Sequence, residues 1–90
     1  MSYTDEQKAL ISGVIGTQIL GRTRSEKLRE SYFAVHRHLH EGRLDRDDLR
    51  RIESALELVT PQSCQSCSKE GYRDLIETLM ATRLMLREAT

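Results

Sequence analysis

The two cysteines are the residues with the clearest potential for chemistry, because Cys64 and Cys67 are separated by only two residues. Two thiolates three positions apart can occupy two corners of a tetrahedron, so this spacing is typical of half a structural zinc site. His36 and His40 are four residues apart and lie on the same side if that segment is helical. Together these four residues predict a zinc site with two histidine and two cysteine ligands.

Helix geometry limits this zinc interpretation. If the second and third helices are antiparallel, His40 lies at the hairpin turn, whereas the chain leaves the third helix roughly 20 Å away. Residues 60–67 would have to run back almost fully extended to close the site. Three alternatives remain: four thiolates shared between two chains, a regulatory disulfide with Cys67 activated by the following helix, or two unmodified thiols.

The histidines have a second interpretation. His38 lies between His36 and His40 in the sequence, but residues two apart on a helix point to different sides, so His38 cannot join their site. His36 and His40 flank Phe33 and could be half-buried packing residues. Because histidine titrates near neutral pH, a local pH sensor is a further possibility.

No arrangement typical of an enzyme is found. The sequence has no glycine-rich phosphate loop, no serine, histidine and aspartate in an order that survives placement on helices, and no Glu-x-x-His pair. We therefore expect a non-enzymatic protein that needs no cofactor, unless the cysteine pair binds zinc.

These residues must be positioned by helices. The 90 residues include one proline and five glycines, and apolar residues recur at helical rather than alternating spacing. Residues able to cap helix starts precede the periodic segments, at Thr4, Ser25 and Asp45, and Gln7 is placed to complete a capping box with Thr4. The prediction is an all-α, four-helix single domain spanning 1–90, with helices at about 5–20, 26–40, 46–59 and 69–88.

The apolar stripes of the second and third helices predict how they pack. Leu28, Tyr32, Val35 and Leu39 form one narrow stripe, and Leu49, Ile52, Leu56 and Val59 form the other. Both have the alternating three- and four-residue spacing of coiled-coil seams. Joined by the few residues around Gly42, the two helices are predicted to form a central antiparallel hairpin.

The first and fourth helices carry more apolar or small surface than so small a monomer can hide. The fourth has a core stripe of Tyr72, Leu75, Ile76, Leu79 and Leu86. Five residues on other sides of the first and fourth helices are predicted to form a partner interface: Gly13, Gly16, Met80, Leu84 and Met85. The sequence thus predicts a dimeric bundle or a complex with another protein, and hence a small regulatory or adaptor protein.

Charge argues against two other classes of partner. Fourteen basic and fourteen acidic residues give zero net charge, which disfavours nucleic acid, and no stretch is apolar enough to span a membrane. The segment from Arg22 to Arg51 has nine basic and six acidic residues and is the alternative nucleic-acid surface. In the third helix, however, Glu53 and Glu57 are expected to neutralise the arginines. With no signal peptide recognisable, we expect a cytoplasmic protein.

Overall fold

A computed structural model describes residues 3–58 and 69–88 of the chain. Helix α1 spans Asp5–Val14 and continues as a π-helical segment, Ile15–Leu20; α2 spans Glu26–Glu41, α3 spans Arg46–Glu57 and α4 spans Lys69–Glu88. These ranges contain no β-strand. The predicted all-α class is confirmed.

The helix starts follow from their capping residues. The Thr4 hydroxyl accepts from the Gln7 amide at 3.1 Å, and the Gln7 side chain accepts from the Thr4 amide at 2.9 Å, which completes the predicted capping box. Asp45 and Asp48 form a second capping box at the start of α3. At the end of α2, Gly42 adopts a left-handed φ of +73°, a conformation that residues with a side chain rarely adopt.

The first helix differs from the prediction of a uniform helix over residues 5–20. Its last six residues form wider π-helical turns, closed by a bond of 2.9 Å from the Gly21 amide to the Gly16 carbonyl. The Thr17 hydroxyl donates to the Gly13 carbonyl at 2.8 Å. The segment still contributes Ile15 and Ile19 to the core. The prediction from sequence assumes 3.6 residues per turn throughout and therefore does not include these wider turns.

All four helices contribute to one hydrophobic core. The predicted stripes of α2 and α3 supply six of its residues, which are Tyr32, Val35, Leu39, Leu49, Ile52 and Leu56. Leu28 was expected among them but is exposed, and Val59 lies outside the described residues. The molecule measures 32 × 31 × 20 Å. The short dimension is about two helix diameters, so no described helix can be surrounded by others on all sides.

Helix α4 is rotated relative to the predicted stripe. Leu75 is buried as expected, but Tyr72 and Ile76 are more than one third exposed. Thr78 and Thr82, which carry hydroxyl groups, are almost completely buried in their place. Each satisfies its hydroxyl within the helix, by donating to the carbonyl four residues earlier at 2.7 and 2.8 Å. Because this local bond removes the cost of an unpaired hydroxyl, threonine is tolerated in the core.

Candidate interaction surface and histidine pair

The outward side of α4 carries an apolar stripe. Ile76, Met80 and Leu84 follow one another at intervals of four residues, so they lie along one side of the helix. They are 37%, 63% and 42% exposed, although all three are large apolar side chains. We call these three residues the α4 stripe. It lies on the side away from the buried Leu75, Thr78 and Thr82, and it contains two residues of the predicted interface.

Arg83 borders the α4 stripe and is tied to α3. Its guanidinium donates to the Glu57 carboxylate at 2.9 Å and to the Glu53 carboxylate at 3.2 Å. These hydrogen bonds, first to Glu57 and then to Glu53, raise the pKa of Arg83 above its usual value. The structure shows the pairing within one chain, where it joins α3 to α4.

This pairing changes the charge argument for α3. Glu53 and Glu57 were expected to neutralise Arg46 and Arg50 on their own helix, but they bind Arg83 instead. Within residues 3–58 and 69–88, no acidic side chain forms an ion pair with Arg46 or Arg50. The expected pairing of these arginines within α3 is therefore not seen in the described ranges, and the segment from Arg22 to Arg51 stays the alternative nucleic-acid surface.

The other predicted interface residues lie in different settings. Gly13 and Gly16 are exposed, and a Cβ atom built at either position would meet nothing within 4 Å beyond its chain neighbours and the backbone of its own helix. Hence no described part of the chain packs closely on this side of α1. Met85 is half-buried and packs against the core, so little of it is available to a partner. The five residues are not joined into one surface by any contact that the structure describes.

Tyr3 attaches the start of the chain to α4. Its hydroxyl is hydrogen-bonded to the Thr82 hydroxyl, and since the Thr82 proton is donated to the Thr78 carbonyl, Tyr3 is the donor. Burial raises the pKa of Tyr3 to about 12, although the bond to Thr82 acts in the opposite direction. Sequence periodicity could not identify Tyr3, which precedes the first helix and contacts a residue 79 positions away.

His38 bonds to a buried carboxylate. Its Nδ1 donates to Asp48 Oδ2 at 2.8 Å, and the same oxygen accepts the Asp45 amide at 3.1 Å. Asp48 is only 3% exposed. The hydrogen bond from the Asp48 amide is the main cause of a lowered pKa at Asp45, whose side chain is the cap of α3. Asp48 lies in the first turn of α3, where an acidic residue is favourable by itself, so its contact with His38 could not be predicted from the sequence.

His36 and His40 do lie together, as their spacing predicts. Their ring centres are 4.5 Å apart, with an angle of 61° between the ring planes. His40 Nε2 also lies 3.3 Å from the Ser12 hydroxyl oxygen on α1. Cys64 and Cys67 lie outside the described residues. Among the residues that are described, no three His, Cys, Asp or Glu side chains form a metal-binding group, so the four-residue zinc site stays a prediction.

Comparison of the chain with protein-family models, with curated proteins and with solved structures found no match. Within the described ranges, no helix has the length and apolar character required to cross a membrane. The candidate function therefore depends on the chemistry of the surfaces described above.

Proposed function

We propose that this chain is a small, non-enzymatic regulatory or adaptor protein of the cytoplasm that acts by protein–protein association through the α4 stripe. The observation that carries the proposal is the inverted placement of side chains on α4. Thr78 and Thr82 are 1% and 0% exposed, whereas Met80, between them in the sequence, is 63% exposed. If α4 packed only against the core of its own chain, we would expect Met80 to be buried and the two threonines to be exposed, because burial favours the apolar side chain.

A second copy of the chain is the partner that we propose. In a twofold symmetric dimer the same three stripe residues of each copy become buried, which gives six side chains in all. Complete burial of a side chain of this size is worth about 1.5–3 kcal/mol, and these are already partly buried. The gain from six such residues is comparable to the association cost of about 4–15 kcal/mol. A reversible dimer is therefore expected, of the kind suited to a regulator.

Within each subunit, we propose that α2 and α3 form the antiparallel hairpin of a dimeric bundle. Two contacts at different distances from the turn support this arrangement. His38 reaches Asp48 close to the turn, and the Tyr32 hydroxyl donates to the Arg51 carbonyl at 3.3 Å further from it. Moving away from the turn along one helix thus moves away from it along the other.

The proposal is tested by measuring the oligomeric state. Light scattering and sedimentation velocity at tens of micromolar should show a dimer, and Leu84→Asp should convert it to a monomer while circular dichroism stays unchanged. Phe33→Asp is the matched control: Phe33 is also exposed, at 55%, but lies on α2, so this variant should remain dimeric. A monomeric parent protein, or equal dissociation by both variants, would contradict the proposal.

The adaptor role requires a further comparison. The parent and Leu84→Asp proteins would be used in parallel to capture partners from the native cell extract. A protein retained by the parent and lost with Leu84→Asp would identify a partner of the α4 stripe, and retention by both would exclude the stripe as its binding site.

A further inference from the structure

We propose that His36 and His40 form a two-imidazole binding site for a divalent transition metal of the borderline class, such as Ni²⁺, Cu²⁺ or Zn²⁺. The site consists of described residues only and does not require Cys64 or Cys67. It is also independent of the proposed association through α4, because both ligands lie on α2.

The distance between the two rings matches that of a bidentate metal site. When one nitrogen of each imidazole binds the same metal at about 2.0–2.1 Å, with about 90–110° between the bonds, the ring centres are about 4.5–5 Å apart. The observed separation of His36 and His40 is 4.5 Å. The backbone of α2 therefore already places the two rings at the spacing of a bidentate site. Rotation of the His36 ring from its present 61° to the His40 ring would direct one nitrogen of each ring to a common point, while His40 keeps its contact with Ser12.

Both rings are accessible to solvent. His40 is exposed and His36 is half-buried, so a metal ion can reach both rings from solvent and complete its coordination with water. His38, in contrast, has its Nδ1 committed to Asp48. The chain therefore has two histidines with accessible rings on one side of α2 and a third engaged in a structural contact.

The contact between His40 and Ser12 favours one tautomer of His40. Metal-binding histidines usually direct their second ring nitrogen to a neighbouring polar group, which selects the tautomer. The Ser12 hydroxyl oxygen lies 3.3 Å from His40 Nε2 and can accept a hydrogen bond from the protonated Nε2. Nδ1 of His40 then carries the lone pair that binds the metal. Because Ser12 is on α1, bound metal would also stabilise the packing of α1 against α2.

The test uses the full-length chain without an affinity tag and with Cys64→Ser and Cys67→Ser, which removes the competing thiolates. Calorimetric titration with NiCl₂ should show one ion bound per chain. His36→Ala and His40→Ala should each weaken binding by about tenfold or more, as expected for loss of a ligand. The matched control is His38→Asn, which removes the third histidine, keeps a donor for Asp48 and should bind Ni²⁺ like the parent.

Because His36 is half-buried, the His36→Ala protein could lose binding through unfolding. A second measurement therefore uses the protein that retains all three histidines. Paramagnetic Ni²⁺ should broaden the NMR signals of the His36 and His40 rings before those of His38. Absence of saturable binding up to about 1 mM Ni²⁺, equal binding by the His40→Ala protein, or broadening centred on His38 would each overturn the proposal.

Discussion

His38 on α2 donates a hydrogen bond of 2.8 Å to Asp48 on α3, whose carboxylate is almost completely buried. The same Asp48 oxygen accepts the Asp45 amide, so one carboxylate both closes the capping box of α3 and joins α3 to α2. A buried carboxylate depends on such donors, because in their absence it loses its hydration without compensation.

We expect His38→Ala to lower the free energy of unfolding by about 1–3 kcal/mol, since it leaves the Asp48 carboxylate with one donor fewer. His38→Asn should recover part of this loss, because its amide nitrogen can replace Nδ1. Urea denaturation monitored by circular dichroism measures both effects. The control is Arg37→Ala, an exposed neighbour on the same helix. Equal losses for His38→Ala and Arg37→Ala would show that the contact with Asp48 contributes nothing.

Tyr3 should make the protein less stable at alkaline pH. Its pKa is raised from 10.0 to about 12, so the folded state favours the neutral phenol. The resulting stabilisation is complete below pH 10 and is lost as the pH rises toward 12, a change of roughly 2–3 kcal/mol. Denaturant unfolding at a series of pH values measures this loss.

Tyr3→Phe is the matched variant for the pH series. It retains the ring and removes the ionisable hydroxyl, so its stability should decline less steeply between pH 10 and 12. At neutral pH it should cost only about 0.5–1.5 kcal/mol, because Thr82 keeps its bond to the Thr78 carbonyl. Parallel pH profiles for the two proteins would show that Tyr3 is not the titrating group.

The glycines of this chain should respond in opposite ways to alanine. Gly42 ends α2 with φ at +73°, where a Cβ atom is strained, so Gly42→Ala should lower the free energy of unfolding by about 1–2 kcal/mol. Gly13 is exposed within α1, and its new Cβ would meet nothing within 4 Å beyond its chain neighbours and the backbone of its own helix. Gly13→Ala should therefore stabilise the protein, by up to about 1 kcal/mol.

Thermal and urea denaturation of both glycine variants, at concentrations where the protein is monomeric, test this contrast. If Gly13→Ala destabilised the monomer, an unrecognised close contact on that side of α1 would be indicated. If Gly42→Ala had no effect, the left-handed conformation would not be required to end α2.

The Arg83 contacts should contribute to stability only weakly. The Arg83 and Glu57 side chains are about half exposed, and exposed ion pairs are typically worth 0 to about 1 kcal/mol. Arg83→Ala should therefore leave the midpoint of urea denaturation nearly unchanged, and the difference from the parent should shrink further at high salt. A large loss of stability would indicate that Arg83 does more than join the surfaces of α3 and α4.

Local information in the sequence was sufficient for the helical class, the helix starts and much of the core. Thr4 and Gln7 form the predicted capping box, Gly42 ends α2 as predicted, and the central stripe residues Val35 and Ile52 are buried. These features depend on neighbours within one or two helical turns, which the order of residues specifies directly. The spacing of His36 and His40 likewise predicted that they share one side of α2.

Only the tertiary structure decided the rotation of α4 and the pairing of charges. Tyr3 bonds to Thr82 and Arg83 bonds to Glu53, contacts that span 79 and 30 residues. Such contacts depend on how the helices pack. In addition, a threonine that satisfies its hydroxyl within its own helix can lie on the buried or the exposed side of that helix, so its position does not reveal the rotation of α4. The exposure of Met80 and the partial burial of Met85 follow from that rotation, because rotating a helix about its axis changes which of its apolar residues contact the core.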